Sequence, residues 1–368
     1  MPFQIVRNDI ARMKVDAIVN TVSPDPGIGW GVDAGIHKKA GPLLLLERQK
    51  LGRLRVGSAA ATRAFDLPAK FVIHTVGPVW QGGSANETQL LRSCYDQCLR
   101  LAKRKGCESI AFPLISAGNH GFPKPVALNT ALDAIRDFLM KEEMLVYLVV
   151  YSPDAFSLSE KLFHDVRSFI DDHYALENDL LQYGVADKYQ LRTAQQSRIL
   201  EAQADCAMAP MPQDCMPLPC LSTPCAAPME APKPKRKKSP KKSEAPLSLQ
   251  DMLRQEDMGF SEKLLQLIDR TRKKDSAIYS RANVTRQHFS KIRNDPHYKP
   301  TKATALAFAI ALELDMDGTE DLIRRAGFAL TRSSKFDLIV MYFIQSGNYD
   351  IFAINAALFE FDQKLLGG

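Results

Sequence analysis

Apolar runs and segments with helical spacing alternate along the first 172 residues of this chain of 368 residues. Six runs are suited to buried strands, and they lie at 3–6, 15–19, 56–62, 70–76, 109–115 and 145–151. Between several of them apolar residues recur with helical spacing, as in Leu90–Leu101 and Val126–Leu139. Strands that alternate with helices favour a mostly parallel sheet covered on both faces. The pattern therefore predicts an α/β domain with a single core.

A loop of small residues follows the fifth apolar run. Residues 116–121 read Ser-Ala-Gly-Asn-His-Gly, and Pro123 and Pro125 then suit the first turn of a helix. Backbone N–H groups at such a helix start favour anions, phosphate above all. A similar glycine loop lies earlier in the chain, at residues 20–33. It also follows an apolar strand and precedes a helix that begins near Val32.

Two glycine loops of this kind are what a ligand with two phosphates needs. Each loop follows a strand, and open α/β folds bind their ligands at the carboxyl ends of parallel strands. The alternative interpretation is that these glycines only make tight turns. That alternative is stronger for either loop alone than for both together.

Five blocks of this sequence resemble one known family, in the order that the family has them. The blocks are Asp9-Ile10, residues 15–20, residues 31–41, residues 70–78 and the loop of residues 115–123. Together they resemble a macrodomain over residues 1–172. The resemblance implies a three-layer α/β/α fold that binds ADP-ribose as its ligand and needs no cofactor. In some branches the family also removes ADP-ribose from modified proteins or acts on O-acetyl-ADP-ribose.

The resemblance also assigns contacts to the adenine and to the ribose far from it. Asp9, with Ile10 beside it, matches the acidic residue that accepts hydrogen bonds from the adenine amino group. An ionised carboxylate suits this role because it only accepts. Phe122 matches the aromatic residue that packs on the distal ribose, and Asn20 matches an asparagine near that ribose.

The remaining contacts that the resemblance implies lie along the diphosphate and over the adenine. Tyr151 or Phe156 would stack on adenine, and the choice between them stays open. The two loops would enclose the diphosphate, with Gly29, Trp30, Gly31 and Val32 on one side and Ser116, Ala117, Gly118, Asn119, His120 and Gly121 on the other.

The residues for hydrolysis match only in part. Asp33 and His37 match the acidic residue and the histidine of hydrolytic relatives, and Asp33 is the candidate general base for an attacking water. Those relatives carry a second asparagine where this chain has Ser23, and Ile28 and Trp30 interrupt their glycine run. The alternative is that Asp33 and His37 cap and orient the following helix. The candidate catalytic residues are Asn20, Ser23, Asp33 and His37.

The composition changes after residue 172. Residues 173–205 are polar with helical propensity, and residues 206–246 hold ten prolines and four cysteines. This composition predicts a helical extension and a disordered linker over 173–247. The basic run at 233–242 suits nonspecific phosphate contact or nuclear targeting, and equally a solvated tether.

Residues 248–368 return to helical spacing throughout. Within them, a helix at 275–281, a turn at 282–284 and a second helix capped by Thr285 resemble the helix-turn-helix of phage-repressor-like domains. Phe289 and Ile292 are predicted to face inward. The resemblance implies a separate all-α helix-turn-helix domain, whose second helix would enter the major groove of DNA.

Local charge supports contact with DNA, although the whole chain carries only +6. Residues 271–302 contain nine Lys or Arg against two Asp, and the segment 311–320 is acidic. A helical bundle that binds protein is the alternative. On the predicted outer face, Arg286 or Gln287 would read bases and Lys291 and Arg293 would contact phosphates, with Ser290 beside them.

Cysteine usage and hydropathy indicate where in the cell the protein is expected and whether it would hold a metal. Seven cysteines without a signal peptide or a long apolar span favour a reducing, cytoplasmic location, and no segment approaches the ~20 apolar residues of a membrane span. Buried apolar surroundings are predicted for Cys94, Cys98 and Cys107, and a hydrogen-bonded core position for His74. No metal is expected, because the linker cysteines lack zinc-site spacing; they are Cys206, Cys215, Cys220 and Cys225.

The sequence thus predicts a protein that links an ADP-ribose site to a helical domain. Its expected partners are ADP-ribose or an ADP-ribosylated macromolecule, DNA or a protein, and no membrane. The alternative function is an ADP-ribosyl hydrolase, which the pair Asp33 and His37 favours and Ser23 disfavours.

Overall fold

A computed structural model of the chain describes residues 2–151, 161–171 and 258–367. The predicted linker at 173–247, with its basic run and four cysteines, lies outside the described residues, as does Phe156. Within the described ranges, no helix combines the length and the apolar character needed to cross a membrane.

One mixed six-stranded sheet forms the centre of the N-terminal region. Its spatial order is β1-β6-β5-β2-β4-β3, and all neighbours are parallel except β3 and β4. Each of the six predicted apolar runs overlaps one strand, with bounds that differ by up to three residues, so the mostly parallel sheet is confirmed. The strands are β1 Phe3–Arg7, β2 Ala17–Thr21, β3 Ala59–Arg63, β4 Phe71–Thr75, β5 Ser109–Pro113 and β6 Leu145–Val150.

Helices cover both faces of this sheet, because successive strand residues point to opposite sides. Ile18 packs with apolar residues of α1 and α2, whereas its neighbour Val19 packs with those of α3 and α4. The three layers that the resemblance implies are therefore present. The helices of this region are α1 Val32–Ala40, α2 Pro42–Lys50, α3 Glu87–Arg104 and α4 Lys124–Leu139, with a 3-10 turn at Ile10–Arg12 and a helix α5 at 161–171.

The described C-terminal region is helical throughout, as its spacing predicts. The first predicted pair is found at the expected residues, with Thr285 accepting from the His288 amide and with Phe289 and Ile292 buried. The helices are α6 Phe260–Thr271, α7 Asp275–Arg281, α8 Arg286–Asn294, α9 Lys302–Ala311, α10 Met316–Arg325, α11 Lys335–Gln345 and α12 Ile351–Glu360.

This helical region packs against the sheet, which differs from the expectation of a separate domain. The side chain of Asn283, in the turn between α7 and α8, accepts from the Phe3 amide at 2.8 Å and donates to the Phe3 carbonyl at 3.0 Å. The Phe3 ring lies 5.1 Å from the Phe352 ring of α12, and Arg136 of α4 pairs with Asp350 at 2.8 Å. The described residues of both regions consequently fall in one compact unit.

Candidate functional site

The two glycine loops leave neighbouring strands at the same end of the sheet. We call residues 22–31 the first loop and residues 114–122 the second loop. The first follows β2 and the second follows β5, and these strands are parallel, with Ala17 opposite Ile110 and Ile18 opposite Ala111. Both loops therefore start side by side at the carboxyl end of the sheet, where open α/β folds bind ligands.

The second loop turns back on itself and leaves amides free. Ser116 and Gly121 have φ of 63° and 66°, in the left-handed region, and the Phe122 amide closes the loop on the Ser116 carbonyl at 3.1 Å. The amides of Gly118, Asn119 and His120 find no acceptor among the described residues. A Cβ placed on Gly118 would meet no atom within 4 Å, so the loop has open space in front of it.

The segment after β4 supports the second loop from the other side. Gly77 allows a close approach, since a Cβ there would overlap the buried Ser116 hydroxyl. The Trp80 amide donates to the His120 carbonyl at 2.9 Å, and the Trp80 ring contacts the Phe122 ring at 4.7 Å. Phe122 is only 2% exposed. Trp80, which no sequence pattern singled out, covers one face of Phe122, the predicted ribose contact.

The first loop is held by Asp33 of α1. The Asp33 carboxylate accepts from the Asn20 side-chain amide at 2.7 Å and from the Gly29 backbone amide. Gly31, with φ of 67°, precedes α1, and no described side chain caps this helix. The structure thus brings together Asn20, Gly29, Gly31 and Asp33, while Trp30 projects into solvent with 86% of its surface exposed.

His37 lies one helical turn beyond Asp33 and is buried. Its Nε2 is 3.4 Å from the Asp33 carboxylate, and neither ring nitrogen has a hydrogen-bond partner in the described part of the chain. Burial lowers the pKa of His37, the Asp33 charge opposes this shift, and the Arg48 charge adds to it. A neutral imidazole at this position suits both the catalytic prediction and an orienting role of His37 and Asp33 in α1. The predicted capping role is wrong, because no described side chain caps α1.

Two further buried groups lie beneath the first loop. Arg48 of α2 donates to the carbonyls of Ser23 and Pro24 in the first loop and to that of Gly52. His74 of β4 is fully buried and its Nε2 lies 2.9 Å from the Thr62 hydroxyl, which confirms its predicted core position. Burial lowers the pKa of His74 to about 3. No pattern in the sequence around Arg48 predicted its burial.

The predicted adenine contacts lie at the carboxyl ends of β1 and β6, which are adjacent and parallel. Asp9 accepts from the Ala11 amide at 2.9 Å and from the Lys39 ammonium. Partial burial disfavours the charge of Asp9, but these two hydrogen bonds lower its pKa. Tyr151 is 81% exposed. Ile10 is buried in the core, so its side chain faces the protein.

Four of the five residues predicted to contact DNA line a groove of about 1050 Å³, and its opposite wall is acidic. That wall carries Glu108, Glu142 and Glu143 from the amino ends of β5 and β6, and Tyr279 donates to Glu143 at 3.2 Å. The fifth residue, Arg293, forms an ion pair with Asp275. The four residues on the groove are Arg286, Gln287, Ser290 and Lys291.

Comparisons with known proteins match the N-terminal region. The Macro domain family model matches residues 19–131. A macro domain-containing protein of Methanosarcina mazei is 47% identical over 154 residues, which are 41% of this chain and 82% of that protein. The O-acetyl-ADP-ribose deacetylase of Escherichia coli (strain K12) is 43% identical over 164 residues, 43% of this chain and 93% of the enzyme.

A solved structure, the Oceanobacillus iheyensis macrodomain with ADP, is 36% identical and covers 45% of this chain and 92% of its own, with a TM-score of 0.42. The fold and the two loops define a three-layer α/β/α protein with a candidate site built from backbone amides. With relatives this similar over most of their length, the chain belongs to the macrodomain family.

Proposed function

We propose that this protein binds ADP-ribose, free or attached to a macromolecule, at the carboxyl end of its sheet. One observation carries the proposal: the first and second loops follow adjacent parallel strands, and each leads into a helix that no described side chain caps. Unpartnered amides at a helix start favour anions. Two such sets side by side suit a diphosphate.

The order of the strands supports the orientation of the ligand. Asp9 follows β1, Tyr151 follows β6, the second loop follows β5 and the first loop follows β2, and these strands are neighbours in that order. Adenine beside Asp9 and Tyr151 would place the diphosphate at the second loop. The distal ribose would then lie toward Asn20 and Asp33.

Calorimetric titration of the full chain with ADP-ribose tests this proposal. We expect micromolar binding, with AMP much weaker because it lacks the second phosphate and the distal ribose. The absence of heat at millimolar ADP-ribose, with the protein folded by circular dichroism, would rule the proposal out.

Hydrolysis of an ADP-ribose ester is the second candidate, and the hydrogen-bonded pair of Asn20 and Asp33 favours it. In O-acetyl-ADP-ribose, water would attack the acetyl carbonyl while Asp33 accepts its proton, and the ribose oxygen would leave protonated to give acetate and ADP-ribose. The relatives named O-acetyl-ADP-ribose deacetylase support this reaction class. Asp33 is 1% exposed, so the first loop must release the Gly29 amide before water reaches the carboxylate.

The Asp33→Asn variant separates the two candidates. We expect it to bind ADP-ribose within a few fold of the parent chain, because the new amide oxygen can still accept from the Gly29 amide. Its NH2 group can donate to the unpartnered Asn20 side-chain oxygen once the Asn20 amide rotates. Its release of acetate from O-acetyl-ADP-ribose, or of label from an Asp- or Glu-ADP-ribosylated protein, should fall by about 100-fold or more. A parent chain that binds but releases nothing would leave binding as the function.

A DNA or protein partner for the helical region stays a prediction. The exposed Arg286 and Lys291 of α8 support contact with phosphates, whereas Glu142 and Glu143 across the groove would repel them. Duplex DNA would therefore reach α8 only if this acidic wall moved away. A mobility-shift assay with duplex DNA at two salt concentrations tests the prediction. The absence of DNA binding at low salt would show that the prediction of DNA contact is wrong.

A further inference from the structure

Arg48 is the largest fully buried side chain with a charge among the described residues. It lies near the end of α2, where its neighbours Gln49 and Lys50 are exposed. Among the described residues, Asp33 and Asp25 act on its guanidinium only through their charges, with no hydrogen bond to it, and its Nε has no hydrogen-bond partner there. A buried cation is costly unless it is well satisfied, so the groups that Arg48 does contact are informative.

Those groups are three backbone carbonyls from two segments. The Nη1 of Arg48 donates to Gly52 at 2.8 Å, and Nη2 donates to Ser23 at 3.1 Å and to Pro24 at 3.4 Å. The Leu54 amide also donates to the Pro24 carbonyl at 2.9 Å. Arg48 thereby ties the start of the first loop to the chain that follows α2.

The other end of the first loop has a separate anchor, the Gly29 amide on the Asp33 carboxylate. Between the two anchors, Ile28 and Gly27 are exposed. A planar guanidinium donates in a fixed fork, so Arg48 limits where Ser23 and Pro24 can lie. Asp33 and Asp25 are the acidic groups whose charges act on Arg48, and burial lowers the pKa of its guanidinium.

We propose that Arg48 is a positioning residue of the nucleotide site, which holds the first loop in the conformation that receives the ligand. This inference rests on the proposed function for its effect on ADP-ribose. Its structural half, the restraint of the first loop by Arg48, stands without any ligand.

The test compares Arg48→Met, Arg48→Lys and Arg53→Met in the full chain. Arg53 is the matched control because it is exposed and lies close in sequence, and its ion pair with Asp25 of the first loop, at 3.7 Å, is exposed at both ends and contributes little. Without ligand, hydrogen exchange at the Gly29 and Leu54 amides should be at least about 10-fold faster in Arg48→Met than in the parent. Exchange in the second loop and in β1 should not change.

With ligand, the dissociation constant for ADP-ribose should rise by about 10-fold or more in Arg48→Met, because the loop must be ordered on binding. It should rise less in Arg48→Lys, whose ammonium can reach only part of the carbonyl set. Arg53→Met should match the parent in both measurements. This partial rescue separates positioning from a general loss of stability.

Parent-like exchange and affinity in Arg48→Met would overturn the inference, as would faster exchange that spread equally over all segments. If Arg48→Met does not fold, Arg48→Lys decides: unchanged exchange at Gly29 and Leu54 would count against the restraint. A parent chain that fails to bind ADP-ribose would refute the proposed function instead, while the exchange measurement would still decide the role of Arg48.

Discussion

The helix starts of the two regions differ in what they do with their backbone amides. In the helical region, five successive helices begin on a side chain that accepts one of the first amides, namely Thr285, Thr301, Asp315, Ser334 and Asp350. In the α/β region, Gly31 precedes α1 and Pro123 precedes α4, and no described side chain caps either helix. The first arrangement satisfies the helix internally, whereas the second leaves donors for a ligand.

The two regions also differ in how three of their buried ionisable groups are satisfied. In the helical region the buried Asp337 pairs with Lys302 at 2.6 Å and accepts from Thr331. In the α/β region the buried Arg48 and His74 contact only uncharged groups. The missing cap alone does not mark a site, because no described side chain caps α2 or α3 either, nor α6 or α7 in the helical region. It becomes informative where a glycine loop leads into the helix.

Among variants in the α/β region, Gly118→Glu should cause the largest loss of affinity for ADP-ribose. The new side chain has room, so the fold should persist, but its carboxylate would lie against the diphosphate. Like charges in contact cost several kcal/mol, and we expect affinity for ADP-ribose to fall by at least about 100-fold in calorimetry. Gly118→Gln is the uncharged control of equal size; equal losses in both variants would contradict this placement of the ligand.

Asn283→Ala should most strongly disturb the helical side, where that region meets the sheet. The change removes both hydrogen bonds to Phe3, and unpaired buried backbone groups cost about 1–3 kcal/mol. Asn283 also has a left-handed φ of 52°, which alanine tolerates poorly. We expect urea unfolding to show a loss of about 3 kcal/mol.

Asn283→Gly separates the two causes, because glycine accepts the left-handed backbone but also lacks the amide. It should lose less than the alanine variant. An alanine variant as stable as the parent would mean that the contact with Phe3 contributes little.

The neutral histidine under the site predicts a pH dependence. His74 has a pKa of about 3 in the folded protein, below the ordinary value of 6.5, so in acid the unfolded chain binds a proton that the folded chain does not. Stability is therefore lost as pH falls from about 6.5 toward 3, by up to about 1.4 kcal/mol per unit. Urea titrations between pH 7 and 5 give the free energy of unfolding at each pH. This free energy should fall less steeply with falling pH in His74→Gln than in the parent, and an unchanged pH dependence would oppose this assignment.

Asp315→Ala should have the smallest effect and sharpen the contrast between the helix starts. Asp315 caps α10 by accepting from the Gly318 amide at 2.9 Å, and loss of such a cap costs about 1 kcal/mol. Affinity for ADP-ribose should not change, since the cap serves only its own helix. Asp315→Asn keeps an accepting oxygen and should retain most of the stability.

Local pattern was enough to predict the strands, most helices and the cap at Thr285. Apolar runs and helical spacing depend only on residues close in the chain, so they can be identified from the sequence. Asn20 and Asp33, two separately predicted site residues, also lie together, because β2 and α1 are joined by the first loop. The residues within these elements are therefore sufficient to predict them.

Arg48 and the contact of Asn283 with Phe3 could not be predicted in this way. Arg48 stands among Glu47, Gln49 and Lys50, a polar run that usually marks a solvated helix end. Asn283 and Phe3 are 280 residues apart, and no local pattern links them. Both positions depend on how distant segments pack, which periodicity does not encode.

The packing of the helical region against β1 has a consequence for shortened versions of this protein. β1 is the outermost strand of the sheet on its side, and in the full chain the amide and carbonyl of Phe3 are paired by Asn283. A fragment that stopped at residue 171 would present this strand and the Phe3 ring to water. Exposed strand edges recruit other strands, so such a fragment should self-associate as its concentration rises, while the full chain should not.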